Sequence, residues 1–443
     1  MNTEKFKQMT EDIVDYAVTM GADDAVVNAY STDTRQIRFS QNSIDIFNRW
    51  NELFFHLFLA KKSRVVTTTV KGMENYKEVV EGAIRTADVS EPSEDYSGIA
   101  KSSTATSHRS EWKPLPDRKL TEYVETAVQK SAESGARSAA GTLYNEHADH
   151  YISSSTGIRK FENGSSLYLS IRCFVDDGAS GHSVVSSLSN YGFRPEKAAE
   201  KAASLAKLVG KPVPGEEGRH DAVLDPMVAA TLVSQVGSMS SAFNVLGGFS
   251  CFAGKIGRKV ASDSVTIEDD ATRTLGGKRY FDDEGVAVRK TVLVSRGVLK
   301  GFLHNTSTAR KFRKRTTGNA GLVSPGAFSL SMNGGSESHE KMIEELRDGL
   351  YINNVWYTRY QNRKIGNFST IPRDAILRVR KGEIVGSVRD IRITENLIKL
   401  LQKVDSVSKE REHINWWLES YTPSTVPYLL VRNLNITRSA DTN

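Results

Sequence analysis

The chain has 443 residues and a mass of 49.0 kDa, with 39% hydrophobic and 25% charged residues, the balance of a globular protein with room for two or three domains. Its formal charge of +6 and pI near 9.0 are a weak excess over this length and do not argue for nucleic acid, and its two cysteines, Cys173 and Cys251, exclude a disulfide framework or a four-cysteine zinc site. The polar start Met1 to Thr10 has no secretory character, and the apolar run Leu53 to Ala60 is far shorter than the roughly 20 residues a bilayer span needs, so a cytoplasmic protein is expected.

In chain order, Phe6, Met9, Ile13, Val14 and Ala17 have helical spacing, and Gly21 stands where that helix stops. Asp23 to Tyr30, Gln36 to Trp50 and Leu53 to Val70 read as strands, the last rich in β-branched residues. Tyr76 to Ala87 is again helical. Val89 to Pro116, rich in Ser, Thr, Glu and Pro, reads as a long surface loop. Asp117 to Ser134 is an amphipathic helix, Ala139 to Val175 is strand-like with a turn at Glu162-Asn-Gly164, and Pro195 to Val209 is a helix ended by Gly210.

Gly210-Lys-Pro-Val-Pro-Gly-Glu-Glu-Gly218 breaks helix and strand alike and marks a domain boundary. A short strand, Ala222 to Leu224, and a helix, Pro226 to Ser240, follow it. Val260 to Ile436 reads as strands and turns, with hairpins around Gly297 and Gly382, one helix from His339 to Asp348 and another starting near Asn396. The expected fold class is α+β: an N-terminal domain over residues 1–210 with a sheet and helices on one face, then a strand-rich, mostly antiparallel domain over residues 219–443.

Residue types that carry chemistry are scattered. Glu146-His147-Ala-Asp149-His150 offers imidazoles and carboxylates, but on a strand His147 and His150 point to opposite faces, so we read a solvated strand edge. Ser204-Leu-Ala-Lys207 lies inside a helix, and Gly248-Phe-Ser250-Cys-Phe252 falls one glycine short of a nucleophile elbow. The acidic runs Glu268-Asp-Asp270 and Asp282-Asp-Glu284 read as solvated turns. The basic run Arg310-Lys-Phe-Arg-Lys-Arg315 reads as solvated surface or as contact with an acidic partner.

Several short segments, in order, resemble the C-terminal half of the TldD/PmbA (modulator of gyrase) family. They include Leu224-Asp-Pro226, Phe252-Ala-Gly-Lys-Ile-Gly257, Val265-Thr-Ile-Glu-Asp-Asp270 and Phe281-Asp-Asp-Glu-Gly285. Gly297-Val-Leu-Lys-Gly301, Thr317-Gly-Asn-Ala320, Asp348-Gly-Leu-Tyr351, Gly366-Asn-Phe-Ser369 and Lys381-Gly-Glu-Ile-Val385 continue the series. The family's catalytic subunit carries His-Glu-x-x-x-His on the helix after the Leu-Asp-Pro strand, and a late cysteine completes the zinc site. Here the matching stretch is Ser234-Gln235-Val236-Gly237-Ser238-Met239, and no cysteine follows Cys251.

The resemblance therefore implies a TldE (PmbA)-type subunit with no catalytic residues and no metal of its own, Ser234, Gln235 and Met239 being degenerate motif positions. It implies a TldD-like catalytic partner that carries zinc, a heterodimer, and peptides or unfolded polypeptides as substrate. Neither membrane nor nucleic acid is an expected partner. Gly247, Gly248, Phe249 and Ser250, which follow the degenerate motif, are candidate lining of a shared cavity. A stand-alone hydrolase, either metal-independent or using an unrecognised site such as His147 and His150, and a regulatory nucleic-acid-binding protein using Arg310 to Arg315, remain as alternatives.

Overall fold

Phe6, Met9, Ile13, Val14 and Ala17 are buried along one side of helix α1 (Thr3–Thr19), and the chain turns away at Gly21, whose φ of 96° suits glycine. The computed structural model describes residues 3–72, 75–110, 115–176, 178–188, 192–272, 278–416 and 419–438. Strands β1 (Asp24–Ser40), β2 (Ser43–Lys61) and β3 (Arg64–Lys71) follow, then helices α2 (Tyr76–Val89) and α3 (Asp117–Glu133). Strands β4 (Ser138–Ser154), β5 (Arg159–Phe174) and β6 (Ser180–Ser187) and helix α4 (Pro195–Val209) complete this half.

The six strands form one antiparallel sheet in the order β3-β2-β1-β4-β5-β6. Side chains alternate across a strand. Ala25, Val27 and Ala29 of β1 and Phe55, Leu57 and Leu59 of β2 therefore pack together under α1 and α2. Ile37, Phe39, Leu143, Leu169 and Ile171 pack on the same face under α3 and α4. The helices do lie on one face. The opposite face presents Val26, Phe58 and Ile152 to Ile99, Ala105 and Phe281.

Several element boundaries differ from the sequence reading. The strand runs 36–50 and 53–70 are cut by hairpin turns at Gln41-Asn42 and Lys62-Ser63, whose residues take positive φ without any glycine. Asn163-Gly164 is no turn: it lies inside β5, opposite Ala148 and Asp149, and the β4–β5 connection is Ser155–Ile158. Val89 ends α2, and residues 90–116 have no helix or strand among those described, but they are no mere surface loop, because Ile99, Ala100, Ala105 and Leu115 are buried.

The second half begins inside the Gly/Pro-rich stretch, where β7 (Val213–Pro214) pairs in parallel with Val388 and Arg389. Then come β8 (Gly218–Leu224), helices α5 (Pro226–Met239) and α6 (Ala242–Leu246), strands β9 (Ile267–Asp269), β10 (Thr291–Ser295) and β11 (Val298–Leu299), and helix α7 (Thr306–Lys311). Strand β12 (Leu330–Met332) and helix α8 (His339–Glu344) lead to β13 (Asp348–Asn362), so the expected 339–348 helix stops one turn early. Strands β14 (Asn367–Arg380), β15 (Glu383–Arg389) and β16 (Ile391–Asn396), helix α9 (Leu397–Gln402), and strands β17 (Val404–Trp416) and β18 (Ser420–Arg438) follow. These strands join in one twelve-stranded sheet in which only β8/β13, β12/β18 and β7/β15 pair in parallel. None of the described helices is long and apolar enough to cross a membrane.

Two polar clusters tie the sheets together. Lys201 of α4 places its Nζ 2.9 Å from Asp225 Oδ2 and 2.8 Å from Glu412 Oε1. Burial alone would lower the ammonium's pKa, but the two carboxylates outweigh it and hold it well above the ordinary lysine value. Nearby, Asp374 accepts from Arg172 Nη2 at 3.1 Å and from Ser180 Oγ at 2.8 Å. His182 exchanges backbone hydrogen bonds with the Asn353 amide and sits between Ser170 and Asn354. Burial pushes its pKa down to about 4, which keeps it neutral there. Between these clusters α4 lies directly on β6: a Cβ on Gly181 would fall 2.2 Å from the Ala202 carbonyl oxygen.

Replacing Lys201 by Met leaves two carboxylates facing each other without a counter-charge. The expected loss is about 3 kcal/mol, in the range for breaking a buried ion pair, measured from urea unfolding. A loss under about 0.5 kcal/mol, the size of a surface change, would refute this role.

Candidate functional site

Helix α5 is built to sit deep. Asp225 caps it by accepting from Met227 N at 3.0 Å, Pro226 occupies its first position, and Tyr351 donates its hydroxyl to the second Asp225 oxygen at 2.6 Å. Its side chains are apolar almost all round, and most are buried in the main core with Leu224, Phe252, Leu303 and Leu330. A Cβ on Gly237 would stand 2.9 Å from Leu330 Cδ1, so the helix approaches β12 as closely as a glycine allows.

On this helix Ser234 and Gln235 are half-buried, whereas Met239 is fully buried in the core. Five residues place Ser234 and Met239 about 140° apart around the axis, at 3.6 residues per turn. Ser234 Oγ lies 3.3 Å from Ser420 Oγ, and Ser238 accepts from Arg363 Nη2 at 3.1 Å. The spacing is that of the His-Glu-x-x-x-His motif itself, so it is the side chains that fail: a hydroxyl, an amide and a thioether do not fit a zinc ion, which takes thiolate, imidazole or carboxylate ligands. Among the described residues no group of three His, Cys, Asp or Glu is placed to hold a metal.

Gly247, Gly248 and Phe249 are exposed, Phe249 with 53% of its surface open. Gly248 has a φ of 72°. Ser250 instead points inward, donating to the Met239 carbonyl at 2.5 Å and accepting from Phe252 N at 3.0 Å, which ties the segment back to the end of α5. The nucleophile-elbow serine is thus committed to the backbone. Cys173 and Cys251 are buried free thiols, and burial pushes them up to about 12 and about 11.

The histidines of β4 do not converge. His150 does not stand on a solvated edge: β4 is an interior strand, and the ring is buried and stacked on Tyr30 at 4.3 Å. Its nitrogens face Glu162 at 3.1 Å and Asn28 at 2.9 Å. His147 is on the other face, 3.6 Å from Asp149. The His150 side borders an open cavity of about 620 Å³ with Tyr30, Glu162, Arg279 and Tyr280 in its wall.

The acidic runs are not solvated turns either. Asp269 is buried and accepts from Phe328 N, Ser329 N and Asn319 Nδ2 at 2.9, 2.8 and 2.6 Å. Asp282, with no exposed surface, accepts from Glu284 N, Val286 N and Ala320 N at 3.0, 2.9 and 2.9 Å. Burial raises Asp269 to about 6 and Asp282 to about 7; burial and the neighbouring Asp282 raise Glu284 to about 8. The basic run is not free surface: Arg310 donates to the carbonyls of Ser97 and Ile99, and Lys311 pairs with Asp95, so its first residues clamp the 94–99 segment.

The family model of the PmbA/TldA metallopeptidase C-terminal domain matches residues 217–438, half of the chain. A metalloprotease of Methanocaldococcus jannaschii is 32% identical over 219 residues, 48% of each chain. A metalloprotease TldD homolog of Haemophilus influenzae is 30% identical over 170 residues, 37% of this chain and 35% of that protein. The match thus spans about half the length of the archaeal relative or less for the bacterial one. The crystal structure of TldE from Thermococcus kodakarensis superposes with a TM-score of 0.81 over 97% of this chain and 100% of that one, at 21% identity, which establishes a common fold.

Because Glu284 has a raised folded-state pKa, its contribution to stability is complete below the unfolded value and is lost as pH rises through about 8. Glu284→Gln should therefore gain on the parent chain by on the order of 2 kcal/mol between pH 5 and pH 8. Urea midpoints across that range measure it; parallel profiles for the two proteins would refute the assignment.

Proposed function

The chain belongs to the TldD/PmbA metallopeptidase family, and on that premise we propose that it is a non-catalytic subunit of a two-chain metalloprotease. Its partner would be a TldD-like chain carrying the zinc. Together they would enclose a chamber in the cytoplasm where peptides or unfolded polypeptides are cut. The observation that carries this reading is the state of α5. At the motif positions it offers Ser234, Gln235 and Met239, and Met239 is sealed in the core.

Zinc lowers the pKa of its bound water from 15.7 to about 7, which makes a hydroxide available at neutral pH. Nothing on α5 can hold that ion, and the Gln235 amide cannot take a proton from the water as a carboxylate would. What α5 retains is its cap, its close packing on β12 and the exposed Gly247–Phe249 turn beside it. A rigid helix with an exposed apolar ring next to it suits a wall and docking surface better than a reaction centre.

Co-expression with a TldD-like chain that has an intact His-Glu-x-x-x-His motif should give a stable complex whose peptidase activity needs both chains and whose zinc stays with the partner. Phe249→Asp should weaken that complex at least about tenfold without moving the melting temperature of the lone chain. Installing Ser234→His, Gln235→Glu and Met239→His together should not restore zinc binding, because the third side chain would lie in the core. Stoichiometric zinc and proteolysis by the lone parent chain would overturn the proposal.

A further inference from the structure

Two strands of the first sheet outrun their outer neighbours. Strand β5 extends past β6 at residues 159–166, and the chain covers that edge itself. His108 N donates to Phe161 O at 2.7 Å, Ser107 Oγ accepts from Phe161 N at 3.0 Å, and Asn163 Oδ1 accepts from Ser110 N at 2.6 Å. Strand β2 extends past β3, whose pairing spans Phe54 to Lys61 only. Among the described residues no strand lies beside the remaining 43–53 stretch on that side, and residues 43–52 are exposed apart from a half-buried Trp50. Leu53 O accepts from Gly72 N at 2.8 Å, so Leu53 faces away from β1. By the alternation of an antiparallel strand, Phe47, Arg49 and Asn51 also turn their N–H and C=O groups outward.

This open edge is neither frayed nor blunted. Its hairpin turn is pinned to the start of β4: Asn42 Nδ2 donates to the Arg137 carbonyl at 3.0 Å, and Asn42 Oδ1 accepts from Ala139 N at 2.8 Å. Its charges are turned toward β1, Arg49 in a bidentate pair with Asp33 at 3.0 and 2.8 Å and Asp45 taking the Ser40 hydroxyl at 2.7 Å. What the edge shows to solvent is apolar, with Ile44, Ile46 and Phe47 37%, 41% and 38% open. These side chains lie on both faces of the sheet, Phe47 on the side of Ile37 and Ile46 on the side of Arg38. A patch on one face would suit a helix; an edge that is apolar on both faces, with its backbone groups open, is completed by another strand.

We infer that this strand is β2 of a second copy of the chain, so that two molecules join their first sheets across a two-fold axis at Asn48. The stretch Ile46-Phe-Asn-Arg-Trp50 is complementary to itself when reversed about Asn48. Ile46 then faces Trp50 of the second copy and Phe47 faces its Arg49, each pair occurring twice, and no like charges stand opposite. Phe47 and Arg49 exchange the outward backbone bonds, and the Phe47 ring meets a guanidinium that keeps its Asp33 partner. Ile46 and Trp50 form the closer, non-hydrogen-bonded pair, where cross-strand side chains pack best. An axis at Arg49 would oppose two guanidiniums, and an axis at Phe47 would set Ile46 against Asn48 and draw in the bulge beside Ile44. The contact uses no residue of α5 or of the 247–249 turn and does not depend on the subunit reading above.

The test is sedimentation of the purified full chain from about 1 to about 100 µM, alone and with a TldD-like chain. The lone chain should pass from monomer to dimer over that range. Phe47→Lys sets an ammonium against Arg49 of the second copy at a position that is already exposed. It should weaken the dimer at least about tenfold while the melting temperature, taken where both proteins are monomeric, stays the same. Mild oxidation reads the register: Asn48→Cys, on the axis, should link two chains, and Asn51→Cys, which faces Asp45 of the second copy, should not. The native Cys173 and Cys251 are buried and take no part. A chain that stays monomeric throughout, a dimer untouched by Phe47→Lys, or equal linking through both introduced cysteines would overturn the proposal. So would a lone monomer whose complex with the TldD-like chain is broken by Phe47→Lys, which assigns the edge to that partner instead. Failure of the TldD-like chain to bind, with the dimer intact, counts against the subunit reading and leaves this one standing.

Discussion

The ammonium of Lys201 is the point on which the arrangement of the two sheets turns. It comes from α4, which packs on the first sheet, and it meets Asp225 at the start of α5 and Glu412 on β17. Asp225 has a second duty: one of its oxygens caps α5 while the other takes Lys201 and the Tyr351 hydroxyl. The residue that starts the helix is thus the residue that fixes the helix against the other half. An ion pair that replaces water on both partners gains stability only where further hydrogen bonds complete the shells. Tyr351 and Tyr428 supply those bonds here. The direction of α5, and with it the placement of the 247–250 turn, follows from this cluster.

Once α5 is held there, its composition decides what it can do. Its flank toward β12 admits no side chain at Gly237, and its end is sealed by Met239 under Ser250. Only Ser234, Gln235 and Ser238 keep some access to solvent, and two of these are bonded to Ser420 and Arg363. A helix in this state transmits position and contributes little chemistry. That is why the family resemblance and the absence of a ligand set are compatible: the scaffold needs the cap, the glycine and the apolar faces, and none of these is a metal ligand.

How much was legible in the sequence depended on how local the cause was. The longer helices announced themselves, because spacing and end signals sit within one segment: Pro195 opens α4 and Gly210 closes it, whereas the short α6 and α7 gave no such signal. The hairpins around β2 were hidden, because Gln41-Asn42 and Lys62-Ser63 adopt left-handed backbone without glycine, while Asn163-Gly164 looks like a turn and lies in mid-strand. Neighbouring strands on both sides override the local turn preference there. The acidic runs were misread for a related reason. Whether an aspartate is solvated or buried depends on N–H donors far away in sequence, Phe328 and Ser329 for Asp269 and Ala320 for Asp282. The reading of Ser234, Gln235 and Met239 as degenerate motif positions comes only from matching to a family, since these residues carry no signal of their own.

The turn at 281–285 shows how one buried acid can hold another in a reactive state. Asp282 uses both oxygens to gather three backbone N–H groups, which folds the turn and needs the lone pairs of a carboxylate. Glu284, two residues on, is met by Thr306 alone, through its N–H and its hydroxyl, and feels the Asp282 charge. Two like charges this close in an apolar setting share a proton near neutral pH, and the oxygen with fewer donors is the better place for it. Glu284 is therefore the better place for the proton, and it is the one of the pair that lines the cavity between the first sheet and the loops of the second half. With the proton in place, the carboxyl is a neutral group against apolar walls.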